Sequence, residues 1–191
     1  MSEDPLSPKA IRVAVALVVL LVVGVAVAGV VLTAGDEPVT EAAPTTTPTP
    51  RTGPVAVVGV DAPDARSTPC TSFVKALPDS VPDNGKTLHR LEIAEPAPPS
   101  AYVWGGGSGE PVVLRCGLPR PQELTPTSQL RDISGVQWLP LTGDTATTWV
   151  VVDRGVYVTL TVPAGSGTGP LQEVSATVKQ TLPVKPVRTR G

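Results

Sequence analysis

One histidine, His89, two cysteines, Cys70 and Cys116, and seventeen carboxylates are the reactive groups of this 191-residue chain. A serine hydrolase would take His89 as its base and would need a Gly-x-Ser-x-Gly turn to present the nucleophile. The nearest string, Gly106-Gly107-Ser108-Gly109-Glu110, fails at its last position. His89 also alternates with Leu91 and Ile93, which puts it on one strand face with them as a hydrogen-bonded structural imidazole. One His and two Cys cannot close a tetrahedral zinc site without carboxylates at suitable spacing, so neither metal nor cofactor is expected. Gly165-Ser166-Gly167-Thr168-Gly169 lies between a strand and a helix, where backbone N–H groups can hold phosphate. It lacks the lysine of a P-loop and the spacing of a dinucleotide loop, and reads as a flexible connection. The pairs Asp61/Asp64 and Asp79/Asp83 fall in proline-rich turns, where aspartate caps and turns the chain. No catalytic residue is assigned.

Recognition has more support than catalysis. Arg115 occupies the face of its strand opposite the apolar side, and Trp104, one strand earlier, is placed to stack a sugar or peptide ring beside it. An arginine and an aromatic on one exposed face suit a carboxylate- or sugar-bearing polymer. The competing reading pairs Arg115 with an acidic neighbour and spends the aromatics, six in all, on the core.

The elements that would position these residues begin with an address. Val13 to Leu32 is an uncharged apolar run, and as a helix it spans ~30 Å, the thickness of a bilayer core. Lys9 and Arg12 precede it and no Lys or Arg follows until Arg51, so residues 1–12 are expected in the cytoplasm and the C-terminal portion outside. The run reads as a single-pass signal anchor at the cell membrane. The alternative is secretion after cleavage, because Ala26-Val27-Ala28 resembles a small-x-small site. Residues 33–54, rich in Pro and Thr, form a linker too poor in large apolar groups to pack.

Residues 55–182 then form one extracytoplasmic domain. In an oxidising compartment Cys70 and Cys116 make one disulfide most simply. Thr68-Pro69 opens a short helix over 68–77, with Cys70, Phe73, Val74 and Leu77 on its buried face. In Val112 to Cys116 the alternation sends Val112, Leu114 and Cys116 to one side, which packs that helix on that strand. Trp149–Asp153 and Val156–Val162 read as a hairpin closed by Arg154-Gly155, the glycine supplying positive φ. Further strands are expected over 55–60, 87–94, 101–104 and 136–141. Leu171, Val174, Val178 and Leu182 mark a second helix that ends before Pro183. The fold class is α+β, a mostly antiparallel sheet with two packed helices and one disulfide.

The string Pro69-Cys70, Leu77-Pro78, Trp104-Gly105, Val113-Leu114-Arg115-Cys116-Gly117-Leu118-Pro119-Arg120-Pro121, Trp138 and Val156-Tyr157-Val158-Thr159 resembles the actinobacterial domain-of-unknown-function family 3515. The resemblance implies a small exported or membrane-anchored protein and carries no activity, so no residue role transfers with it.

Charge adds one asymmetry. Residues 36–178 are acidic on balance, whereas the 183–191 tail and the residues just before it add Lys179, Lys185, Arg188 and Arg190 with no acid. Such a tail can touch anionic lipid or wall polymer, and the more ordinary reading leaves it solvated and disordered. Nucleic acid is excluded as a partner by the topology and the acidic domain. The function expected is a non-enzymatic envelope module that binds a wall polymer or another envelope protein; the alternative is a cell-wall hydrolase or transferase that works with carboxylates.

Overall fold

A computed structural model describes residues 53–106 and 109–189 of the chain. The expected cytoplasmic segment 1–12, the expected membrane helix 13–32 and nearly all of the expected linker lie outside the described residues. No helix among the described residues is long and apolar enough to cross a membrane.

The described portion is α+β, as its periodicities imply. Helix α1 (Thr68–Lys75) leads into strands β1 (Ser80–Asp83), β2 (Lys86–Arg90), β3 (Ala101–Gly105) and β4 (Val112–Leu118). Strands β5 (Arg131–Ile133), β6 (Val136–Thr142), β7 (Ala146–Val151) and β8 (Tyr157–Pro163) follow, and helix α2 (Gly169–Thr181) closes the domain. The eight strands form one sheet in the order β1-β2-β3-β4-β8-β7-β6-β5, with every neighbour antiparallel. Two four-stranded meanders are thus zipped together along β4 and β8.

Each meander opens on a two-residue turn. Asn84 and Gly85 adopt φ of 46° and 76°, and Ser134 and Gly135 adopt 57° and 81°, the left-handed pair that matches the twist of the flanking strands. The registers Asp83↔Lys86 and Ile133↔Val136 follow directly.

Both helices pack on one face of the sheet. Ser67 caps α1 by accepting from Cys70 N, and Pro69 sits in the first turn where no N–H is needed. Its buried residues Cys70 and Phe73 meet a core formed by Trp104, Leu114, Trp138, Leu160, Val174 and others. Cys70 and Cys116 are joined, with Cα atoms 5.5 Å apart, so the bond ties α1 to β4 in the middle of that core. In α2 the buried Ser175 Oγ accepts from Trp138 Nε1 at 3.0 Å and donates to Leu171 O, which satisfies an indole N–H that the apolar face would otherwise strand.

Three expectations need correction. Residues 55–60 are no strand: Val55 alone makes a parallel bridge to Ile93, while Val58 is 77 % exposed. The β7–β8 connection runs from 152 to 156 and is no tight two-residue turn. Gly155 does not adopt a left-handed φ, and Arg154 is buried, because its guanidinium pairs with Asp153 (Nη1 to Oδ2, 2.6 Å) and donates to Gly135 O at 3.0 Å. The C-terminal tail is not loose up to its last residues. Lys185 N donates to Asp153 O, Val184 bridges Arg154, and Val187 packs against Leu124, Leu139, Val150 and Val152. Those side chains form a second small core on the sheet face away from the helices, and the tail is part of its cover.

Candidate functional site

Period two along β3 and β4 settles the two residues expected to bind ligand. Trp104 pairs with Val112 and Ala101 with Arg115, so Trp104 points to the helix-covered face and Arg115 to the other. Trp104 is fully buried, its Nε1 donates to Pro78 O at 2.9 Å, and its ring lies 4.6 Å from that of Tyr102. It is a core residue, and it does not stack a ligand beside Arg115. The strand-level alternation could not reveal this, because both faces of β3 are covered: Tyr102, Val103 and Trp104 are all buried in succession.

Arg115 sits beneath the segment 55–58. Its Nη2 donates to Val58 O at 3.1 Å, while its Nε is buried with no partner. Among the described residues it makes no ion pair, which removes the acidic-neighbour reading. Burial pushes its guanidinium below the usual arginine range, since the charge has left water without gaining a counter-charge. Val113, Thr161, Ala146, Pro163 and Glu110 line the groove around it, a space of about 360 Å³ with residues 55–58 as one wall. A carbonyl is the weakest partner a guanidinium takes, and a carboxylate offers it two charge-assisted bonds where Val58 offers one neutral acceptor.

The other expected residues scatter. His89 is exposed on β2, whose buried residue is Leu88, so the imidazole is not the enclosed structural group its spacing with Leu91 and Ile93 suggested. The glycine-rich connection is not loose, and it is already supplied with an anion. The Asp83 carboxylate accepts from Gly167 N, and Asn84 Nδ2 donates to Gly165 O at 2.8 Å. The β1–β2 turn therefore fills the place where phosphate would sit. Asp79 is exposed and shared between the Tyr102 hydroxyl (3.2 Å) and Arg90 (3.8 Å), so Asp79 and Asp83 do not act on one space.

Sequence reading missed a larger cleft. It has a volume of about 700 Å³ and opens where β2 leaves β3, with Arg90, Glu92, Glu95, Pro98 and Tyr102 on its walls. The Arg90 guanidinium lies 4.7 Å from the centre of the Tyr102 ring. Burial raises the Tyr102 hydroxyl above its usual range; the charge of Arg90 opposes this, and the hydrogen bond to Asp79 adds to it. Glu92 and Glu95 are both exposed, and Glu95 Oε2 accepts from Ala97 N at 3.0 Å, a contact that shapes the turn. Among the described residues no three His, Cys, Asp or Glu side chains gather where they would hold a metal ion.

Comparison with known proteins gives a family. The family model described as protein of unknown function (DUF3515) matches residues 13–187, and the chain belongs to that family. No curated protein and no solved structure matches it.

Proposed function

We propose that this member of a family without assigned activity is a membrane-anchored module of the cell envelope, held outside the membrane by residues 13–32, which binds and does not catalyse. The ligand it takes at Arg115 bears a carboxylate. The observation that carries the reading is Arg115 itself: a guanidinium drawn half out of water into a groove, given one neutral acceptor and, although Glu110 lines the same groove, no ion pair among the described residues. A structural arginine in that position would cost stability without return, since a desolvated charge is retained cheaply only where it is paired. The buried Cys70–Cys116 bond supports export, because such bonds persist in oxidising compartments.

The enzyme alternative draws on Glu92 and Glu95, which share the large cleft. Both are open to solvent, and the Glu95 carboxylate is engaged by Ala97 N in shaping its turn.

The test is co-sedimentation of the full-length protein, in neutral detergent, with insoluble cell-wall material. Saturable pelleting that Arg115→Ala removes, with the thermal midpoint unchanged, supports the reading. Pelleting indifferent to Arg115, or hydrolysis products that disappear with Glu92→Gln, would overturn it in favour of a different surface or of catalysis.

A further inference from the structure

The end of the sheet where β4 leaves and β8 begins carries a second, independent cluster of unused donors. Tyr157 opens β8 opposite Leu118, the last residue of β4. Two residues after Leu118 the chain presents Arg120, and the tail, pinned by Lys185 N to Asp153 O and by the Val184–Arg154 bridge, brings Arg188 and Thr189 to the same place. Arg120, Tyr157, Arg188 and Thr189 line one open cleft of about 490 Å³. Among the described residues neither arginine has an ion-pair partner, and no carboxylate lines the cleft. Of the acids near these residues in the chain, Asp153 pairs with Arg154, and Glu123 is exposed and does not line the cleft.

We infer that this cleft is a binding site for a phosphate group carried on a water-soluble phosphodiester chain. The donor set selects phosphate over carboxylate. One guanidinium fork satisfies both oxygens of a carboxylate, so a second fork, a phenol and a threonine hydroxyl would be surplus. A phosphodiester presents two non-bridging oxygens that share one negative charge, and two ester oxygens, in tetrahedral directions, and two forks with hydroxyls between them match that spread. The concavity selects a discrete group over a membrane plane, which a cleft cannot lie flat against. The site is distinct from the groove at Arg115, on a different set of residues, and does not depend on the reading of that groove.

The experiment uses the full-length protein in neutral detergent and fluorescently labelled poly(glycerol phosphate), followed by anisotropy. A second arm replaces the polymer with mixed micelles containing phosphatidylglycerol. The unaltered protein binds the polymer saturably, and Arg120→Gln with Arg188→Gln weakens it at least tenfold. Arg188→Lys keeps the charge but loses the fork, and weakens binding about threefold; Lys86→Gln, which removes one positive charge at the far β1–β2 turn, changes it less than twofold. Because Arg188 is exposed in the tail, its single variants report on binding even where the double variant folds poorly. Absence of polymer binding, equal weakening by Lys86→Gln, indifference to Arg188→Lys, or binding confined to the phosphatidylglycerol micelles would each overturn the proposal.

Discussion

Gly117 offers the sharpest quantitative test of the fold. It lies between Cys116 and Leu118, where the β4–β8 register shifts, and adopts φ of 90°. A methyl group there would overlap the backbone of Asp64 and Ala65, reaching 2.6 Å from Ala65 Cα, and the Asp64 N to Gly117 O bond (3.0 Å) lies across the same contact. Gly117→Ala therefore incurs left-handed strain of about 1–2 kcal/mol. Forced displacement of backbone in a packed region adds roughly 1–3 kcal/mol, and loss of the hydrogen bond about 1 kcal/mol. The sum, about 4 kcal/mol, is a large share of an ordinary domain's stability of about 5–15 kcal/mol. With a urea dependence of about 2 kcal/mol per M, the unfolding midpoint of the oxidised domain should fall by about 2 M. Gly155→Ala is the matched control: no atom stands within 4 Å of its added methyl and its φ is not left-handed, so its midpoint should move by less than about 0.3 M. A Gly117→Ala shift under 0.5 M, or one no larger than that of Gly155→Ala, would refute the claim that the segment before α1 is locked against β4.

Replacing Cys70 and Cys116 together by Ala should lower stability by about 4 kcal/mol, from the entropy of a loop with a sequence separation of 46, as read by urea unfolding of the two forms. Arg115→Met should raise stability by up to about 1 kcal/mol while it abolishes wall binding, because it removes a partnerless buried Nε and keeps the apolar stem; a stability loss above 1 kcal/mol would show that Arg115 is structural. Tyr102 has a folded pKa raised above its unfolded value, so the stability it contributes is present below about pH 10 and is lost as pH climbs through the raised value. Tyr102→Phe should flatten that alkaline loss in thermal midpoints measured between pH 8 and 11, and parallel curves for the two proteins would contradict the assignment.

Elements with long, clean periodicity were legible in the residues alone. The apolar spacing of α2, the alternation of Val112, Leu114 and Cys116, and the pairing of the two cysteines inside one core all appear where the pattern places them. Short edge strands were not legible. β1 contains Pro82 and β5 has three residues, so neither shows a period, although Asn84-Gly85 announces the first turn to anyone who reads the dipeptide before the strands. Valines at 55, 57, 58 and 60 have the composition of a strand, but most of their length has no edge to pair with, and composition does not report partners. The site divided along the same line. That Arg115 faces away from the apolar side follows from period two, whereas the burial of Trp104 depends on α1 and Pro78, and the convergence of Arg120 with Arg188 depends on a tail returning across the sheet. A charged tail reads as solvated until the backbone bonds at Lys185 and Val184 are seen.

The bond between Cys70 and Cys116 also decides how the domain answers a pull. If residues 13–32 hold the chain to a membrane and a ligand holds the sheet to the wall, tension enters at Val55, whose hold is a pair of backbone bonds with Glu92 and Ala94. Those bonds, with the Arg115 to Val58 contact, yield first, and the chain from 55 to 63 pays out up to about 30 Å as it straightens, before the Asp64–Gly117 contact and then the disulfide take the load. At Cys70 the load passes through sulfur straight into β4, the centre of the sheet, so the rest of α1 and strands β1 to β3 lie off the force path. The domain is therefore built with a short extensible leash before a stop, and a moving wall would stretch the leash before it could unravel the fold.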